Sequence, residues 1–159
     1  MKRIALLMIL VLSLYSCETD DDGPNLNFAI AEITGTDLPE YFEIGESYDL
    51  EVAYELPNAC HKFSNFSVNQ YIAEETDSTF VIEIAALTSY DANITDCTEE
   101  GELTDSRTIT DLRISSEDYN NYQFKLLTGE DEDGEAEFLI IDVPVGEPGP
   151  TTPQENTNT

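Results

Sequence analysis

The chain has 159 residues, of which 34 are Asp or Glu, six are Lys or Arg and one is His, for a formal net charge of −28. That balance excludes a nucleic-acid binder, since phosphate recognition needs clustered Lys and Arg, and it opposes docking on anionic headgroups. A lone histidine also rules out a two-His metal site within one chain.

Met1, Lys2 and Arg3 make a positive start, and Ile4 to Leu14 is apolar except for Ser13. This is the length of a signal-peptide core and too short for a bilayer span. Leu14-Tyr15-Ser16-Cys17 follows. The tetrapeptide resembles the lipobox of bacterial lipoproteins, which implies cleavage before Cys17 and a membrane anchor of lipid on its thiol. Tyr15 departs from the small or β-branched residue usual at that position. Glu18-Thr19-Asp20-Asp21-Asp22-Gly23-Pro24 is too charged to fold and should form a tether. An acidic run placed there resembles the surface-export signal of Bacteroidota lipoproteins. The resemblance implies an outer-membrane protein displayed at the cell surface; the alternative is the periplasmic leaflet.

The expected organisation is a signal peptide over 1–16, lipidated cysteine and tether over 17–24, one domain over 25–145 and a disordered tail over 146–159. The tail carries no apolar side chain beyond its prolines and glycines. With Cys17 lipidated, Cys60 and Cys97 are left as an even pair in an exported domain, which reads as a disulfide. Free or metal-binding thiols are the other reading.

Beyond the signal, period-two alternation predominates and no helical period persists. Strands are predicted over Leu26–Ile33, Tyr48–Leu56, Phe63–Ile72, Phe80–Leu87, Arg107–Ile114, Tyr122–Leu127 and Glu137–Val143. In the second, Tyr48, Leu50, Val52, Tyr54 and Leu56 face one way, with Asp49, Glu51 and Glu55 opposite. A one-residue slip would bury the acids, so the register is well specified. In the fourth, Phe80, Ile82 and Ile84 point inward. The run Phe138-Leu139-Ile140-Ile141 in the last predicts a strand covered on both faces. About seven strands suggest an all-β, antiparallel β-sandwich.

Asp118-Tyr119-Asn120-Asn121-Tyr122 resembles the tyrosine corner of immunoglobulin-like domains, which implies a distant fold of that kind. Asn120 stands where glycine is common and tolerates a left-handed backbone. No core tryptophan accompanies the corner, and Cys60 and Cys97 do not occupy the usual inter-sheet positions.

No catalytic motif stands out. His61 beside Cys60 reads as a loop residue, and no nucleophile-elbow pattern surrounds a serine. Among 34 acids some pair always suits glycoside hydrolysis, so the count decides nothing. Calcium is the one cofactor suggested. Asp131, Asp133 and Glu135 lie in the glycine-bounded loop Gly129–Gly134, and Asp91, Asn93, Asp96, Glu99, Glu100 and Glu102 form a second oxygen-rich stretch. A solvated acidic loop is the competing reading of both. Tyr90, Tyr119 and Tyr122 offer an aromatic platform for a sugar. Asp77-Ser78-Thr79 resembles the tripeptide at which Bacteroidota O-glycosylate exported proteins.

The functional expectation is a lipid-anchored, non-enzymatic protein that binds a protein or glycan at the cell surface or in the envelope. The alternatives are an accessory subunit of an envelope complex and, third, a carboxylate-dependent enzyme.

Overall fold

A computed structural model describes residues 25–74, 76, 78–114 and 118–147. Cys17, the tether and Asp77 lie outside these residues, as does the tail from 148 onward. The described chain is all-β, with seven strands and no helix: β1 Leu26–Thr36, β2 Ser47–Glu55, β3 Lys62–Ile72, β4 Thr79–Asp91, β5 Thr104–Arg113, β6 Asn121–Glu130 and β7 Ala136–Pro144. Each overlaps a predicted strand. They form one hydrogen-bonded sheet in the order β5-β2-β1-β4-β6-β7, with β3 pairing β4 off this path.

The alternation in β2 produces the expected burial. Leu50, Val52 and Tyr54 are at most 3 % exposed, while Asp49, Glu51 and Glu55 face solvent. Ile82, Ile84 and Ala86 of β4 join the same core, with Phe124 and Leu126 of β6 and Val143 of β7. Tyr54 stacks on Phe63 of β3 at 4.8 Å between centroids, although β1 and β4 separate their strands along the hydrogen-bonded path. Arg107 of β5 also reaches the Phe63 ring, at 5.9 Å.

Bulges account for inward residues spaced three apart. In β3 the pairing shifts between Phe63 and Asn65, which returns both Phe63 and Phe66 to the Tyr54 side. In β5, Thr110 and Asp111 oppose the single residue Asp49, so that Ile109 and Leu112 both pack on the core. Asp111 takes the extra turn with φ 60°, the one positive φ outside glycine among the described residues. Its amide donates to Asp49 Oδ1 at 3.0 Å. Aspartate is among the few side-chain-bearing residues that accept this conformation readily.

Three expectations are corrected. The strands are not all antiparallel: β4 and β6 run parallel, Thr79 beside Asn121 through Ile84 beside Leu126. Between them β5 crosses to pair β2 at the far end of the path, so β6 returns in the direction of β4. Secondly, β7 is not covered on both faces. Leu139 is 40 % and Ile140 53 % exposed, so no layer covers them, and among the described residues β6 is the only strand that pairs with β7. Thirdly, Asn120 does not use the left-handed conformation, which falls at Asp111 instead.

The segment joining β1 to β2 adds to the core from outside the ladders. Phe42 is fully buried and bridges Val145. Its amide donates to the Pro144 carbonyl at 2.9 Å, and its own carbonyl accepts from the Gly146 amide at 2.8 Å.

Candidate functional site

Cys60 and Cys97 are disulfide-bonded, with Cα atoms 5.6 Å apart. The bond joins the loop after β2 to the loop after β4. Backbone bonds run alongside it, from Ala59 N–H to the Thr98 carbonyl and from Leu56 N–H to the Leu103 carbonyl, both 2.9 Å.

His61 belongs to this junction. Its Nδ1 lies 2.8 Å from Asn58 Oδ1, an oxygen that also accepts from the Cys60 amide at 3.0 Å. The ring packs on Tyr90 at 4.5 Å between centroids and is 9 % exposed. Burial lowers its pKa below the ordinary 6.5 by disfavouring the imidazolium. The stability supplied by the neutral ring is therefore fully present above the unfolded pKa and is lost as pH falls through the lower folded value. Urea unfolding at about pH 7.5 and about pH 5.5 tests this: the wild type loses more stability between the two than His61→Gln. An identical loss in both would show that burial does not separate the ring's folded pKa from its unfolded one.

The hairpin from β6 to β7 holds Asp131, Asp133 and Glu135. Asp131 Oδ1 accepts from the amides of Asp133 at 2.9 Å and Glu135 at 2.8 Å. The Gly134 amide donates to the Asp131 carbonyl at 3.0 Å, and Gly134 has φ 79°. That carboxylate oxygen therefore closes the turn. In the second acidic stretch Asp91 Oδ1 acts similarly, accepting from the Asn93 amide and side chain, both at 2.9 Å. Among the described residues no three His, Cys, Asp or Glu side chains gather to hold a metal ion.

The three tyrosines form no common platform. Tyr90 covers His61, Tyr119 packs on Phe80 at 5.0 Å, and Tyr122 is 4 % exposed against Phe42. Burial, then the neighbouring Tyr119, raises the Tyr122 pKa. Burial likewise raises that of Tyr54, opposed by Arg107 and reinforced by Asp105, which accepts from the Tyr54 hydroxyl at 3.3 Å.

A cleft of about 650 Å³, not anticipated from sequence, lies where β1, the end of β2 and the end of β6 meet. Phe28, Ile30 and Leu56 supply apolar surface, and Glu32, Glu55 and Glu130 supply carboxylates. Phe28 is 68 % exposed and Ile30 40 %. Both stand on the opposite face of β1 from the buried Ala31 and Ile33. The alternation of Leu26, Phe28 and Ile30 was a visible signal, but period two does not say which face is covered. Compared with known proteins, the chain matches no family model, no curated sequence and no solved structure.

Proposed function

We propose that the protein is a lipid-anchored, non-enzymatic binding protein of the bacterial envelope or cell surface, and that the cleft beside β1 takes its partner. The observation that carries this reading is the exposure of Phe28 in a cleft that also presents Glu32, Glu55 and Glu130. Apolar surface exposed next to carboxylates suits a partner with basic and apolar groups, such as a protein segment. The anchor reading draws on the Leu14–Cys17 motif and on the pairing of Cys60 with Cys97, which leaves Cys17 for lipid. A disulfide also suits an oxidising compartment. The contacts of β2 and β5 with Phe63 of β3 support a sheet folded into a two-layered sandwich. The burial of Tyr122 at the start of β6 supports an immunoglobulin-like arrangement of that sandwich.

Two measurements test these readings. Cys17→Ala abolishes acyl labelling and releases the protein into the soluble fraction; unchanged membrane retention overturns the anchor. A photoreactive residue at position 28 forms a covalent adduct in intact cells, whereas one at Ile44, which is also exposed, does not. Equal labelling from both positions would remove the cleft as the site.

A further inference from the structure

Residues 63–73, Phe-Ser-Asn-Phe-Ser-Val-Asn-Gln-Tyr-Ile-Ala, are eleven consecutive positions without a charge in a chain of net charge −28. All but the last lie in β3, which pairs β4 along one edge and no other described strand. Open edges are ordinarily protected by charges, proline or bulges; these residues hold no charge and no proline, and the β3 bulge lies near one end, between Phe63 and Asn65. The two other strands at the limits of the sheet differ. β5 carries Asp105, Arg107, Asp111 and Arg113, and β7 carries Glu137 and Asp142. The uncharged first half of β1 opens on the cleft that holds Glu32, Glu55 and Glu130.

We propose that β3 is a self-docking edge, along which two copies of the chain pair antiparallel into one continuous sheet. A highly acidic chain repels its own copies, so contact is favoured where neither copy presents a carboxylate. The ends of the segment set the direction. Lys62 opens β3 and Glu74 follows its end, and both are exposed. Antiparallel pairing centred on Val68 brings Lys62 of each copy to the end of the other that carries Glu74, within one position once the bulge at Ser64 is counted; parallel pairing would set like charges together at both ends. The same register puts Ser67 opposite Asn69, so the middle of the ladder is uncharged and both ends are complementary. Because one edge pairs with itself, the assembly closes as a two-fold dimer.

Sedimentation equilibrium of the full chain in density-matched non-ionic detergent, at about 0.15 M salt where the Debye length is about 8 Å, tests the proposal. The wild type reversibly forms a dimer. Ser67→Glu with Asn69→Glu brings four carboxylates together at the centre and weakens dimerisation by about thirtyfold or more. Lys62→Glu weakens it by about fivefold. Adding Glu74→Lys restores the wild-type constant, whereas adding Glu100→Lys, with the same net charge, does not. Cys17→Ser leaves the dimer intact, so failure of the lipid reading and failure of this one are separable. A monomeric wild type, species larger than a dimer, or association lost with Cys17→Ser would overturn the proposal. So would insensitivity to the paired Glu substitutions, or rescue by Glu100→Lys equal to that by Glu74→Lys.

Discussion

Replacing both Cys60 and Cys97 with alanine lowers the free energy of unfolding by roughly 3–4 kcal/mol. The bond spans 37 positions of chain, and opening a loop of that size returns entropy to the unfolded state. For a domain of this length the midpoint of thermal unfolding falls on the order of 10–20 °C. Calorimetry of the double variant against the oxidised wild type measures the loss; a change below about 1 kcal/mol would mean that the unfolded chain is already restrained there. The strands themselves should survive in the variant, because the Ala59–Thr98 and Leu56–Leu103 backbone bonds still hold the loops together. Amide exchange should accelerate first in the loop after β4 and at the adjoining end of β4, where Tyr90 meets His61.

Phe42→Ala costs about 3–5 kcal/mol, as removal of a fully buried aromatic ring does elsewhere. The ring packs edge-on against Tyr48 at 4.8 Å and Tyr122 at 5.5 Å, and lies 6.0 Å from Phe124. Alanine therefore opens a cavity where the segment after β1, the starts of β2 and β6 and the end of β7 converge. Phe42→Leu keeps most of the volume and should cost less than about 2 kcal/mol. Urea unfolding of both variants checks the order; a Leu variant as unstable as the Ala variant would point to loss of shape complementarity rather than a void. Phe42 and the disulfide sit beyond opposite ends of β2, whose nine residues extend about 30 Å. Their effects should therefore add within about 0.5 kcal/mol.

The strands were readable because acids mark the wet face. Asp49, Glu51 and Glu55 leave Tyr48, Leu50, Val52 and Tyr54 only one way to turn, and the structure buries that side. Phe42 was not readable. Its neighbours Pro39, Glu40, Glu43 and Gly45 carry a turn composition, and the strand ends that cover it are distant in sequence. The run in β7 misled for a related reason: four apolar residues in succession indicate tolerance of burial on both faces, yet only neighbouring elements can provide it. The candidate calcium residues lie in a turn, where Asp131 caps amides of its own backbone; that depends on local dihedrals which composition does not specify.

Composition, alternation and cysteine parity thus determined the all-β class, the seven strand positions and the Cys60–Cys97 pair, since each follows from short-range chemistry along the chain. Tertiary structure alone decided the parallel pairing of β4 with β6 and the exposed edges of β3 and β7. It also decided the burial of Phe42 and the cleft beside Phe28. These depend on which strand lies beside which, and every strand offers the same backbone hydrogen-bonding groups to any neighbour. Partner choice is settled by packing between residues far apart in sequence.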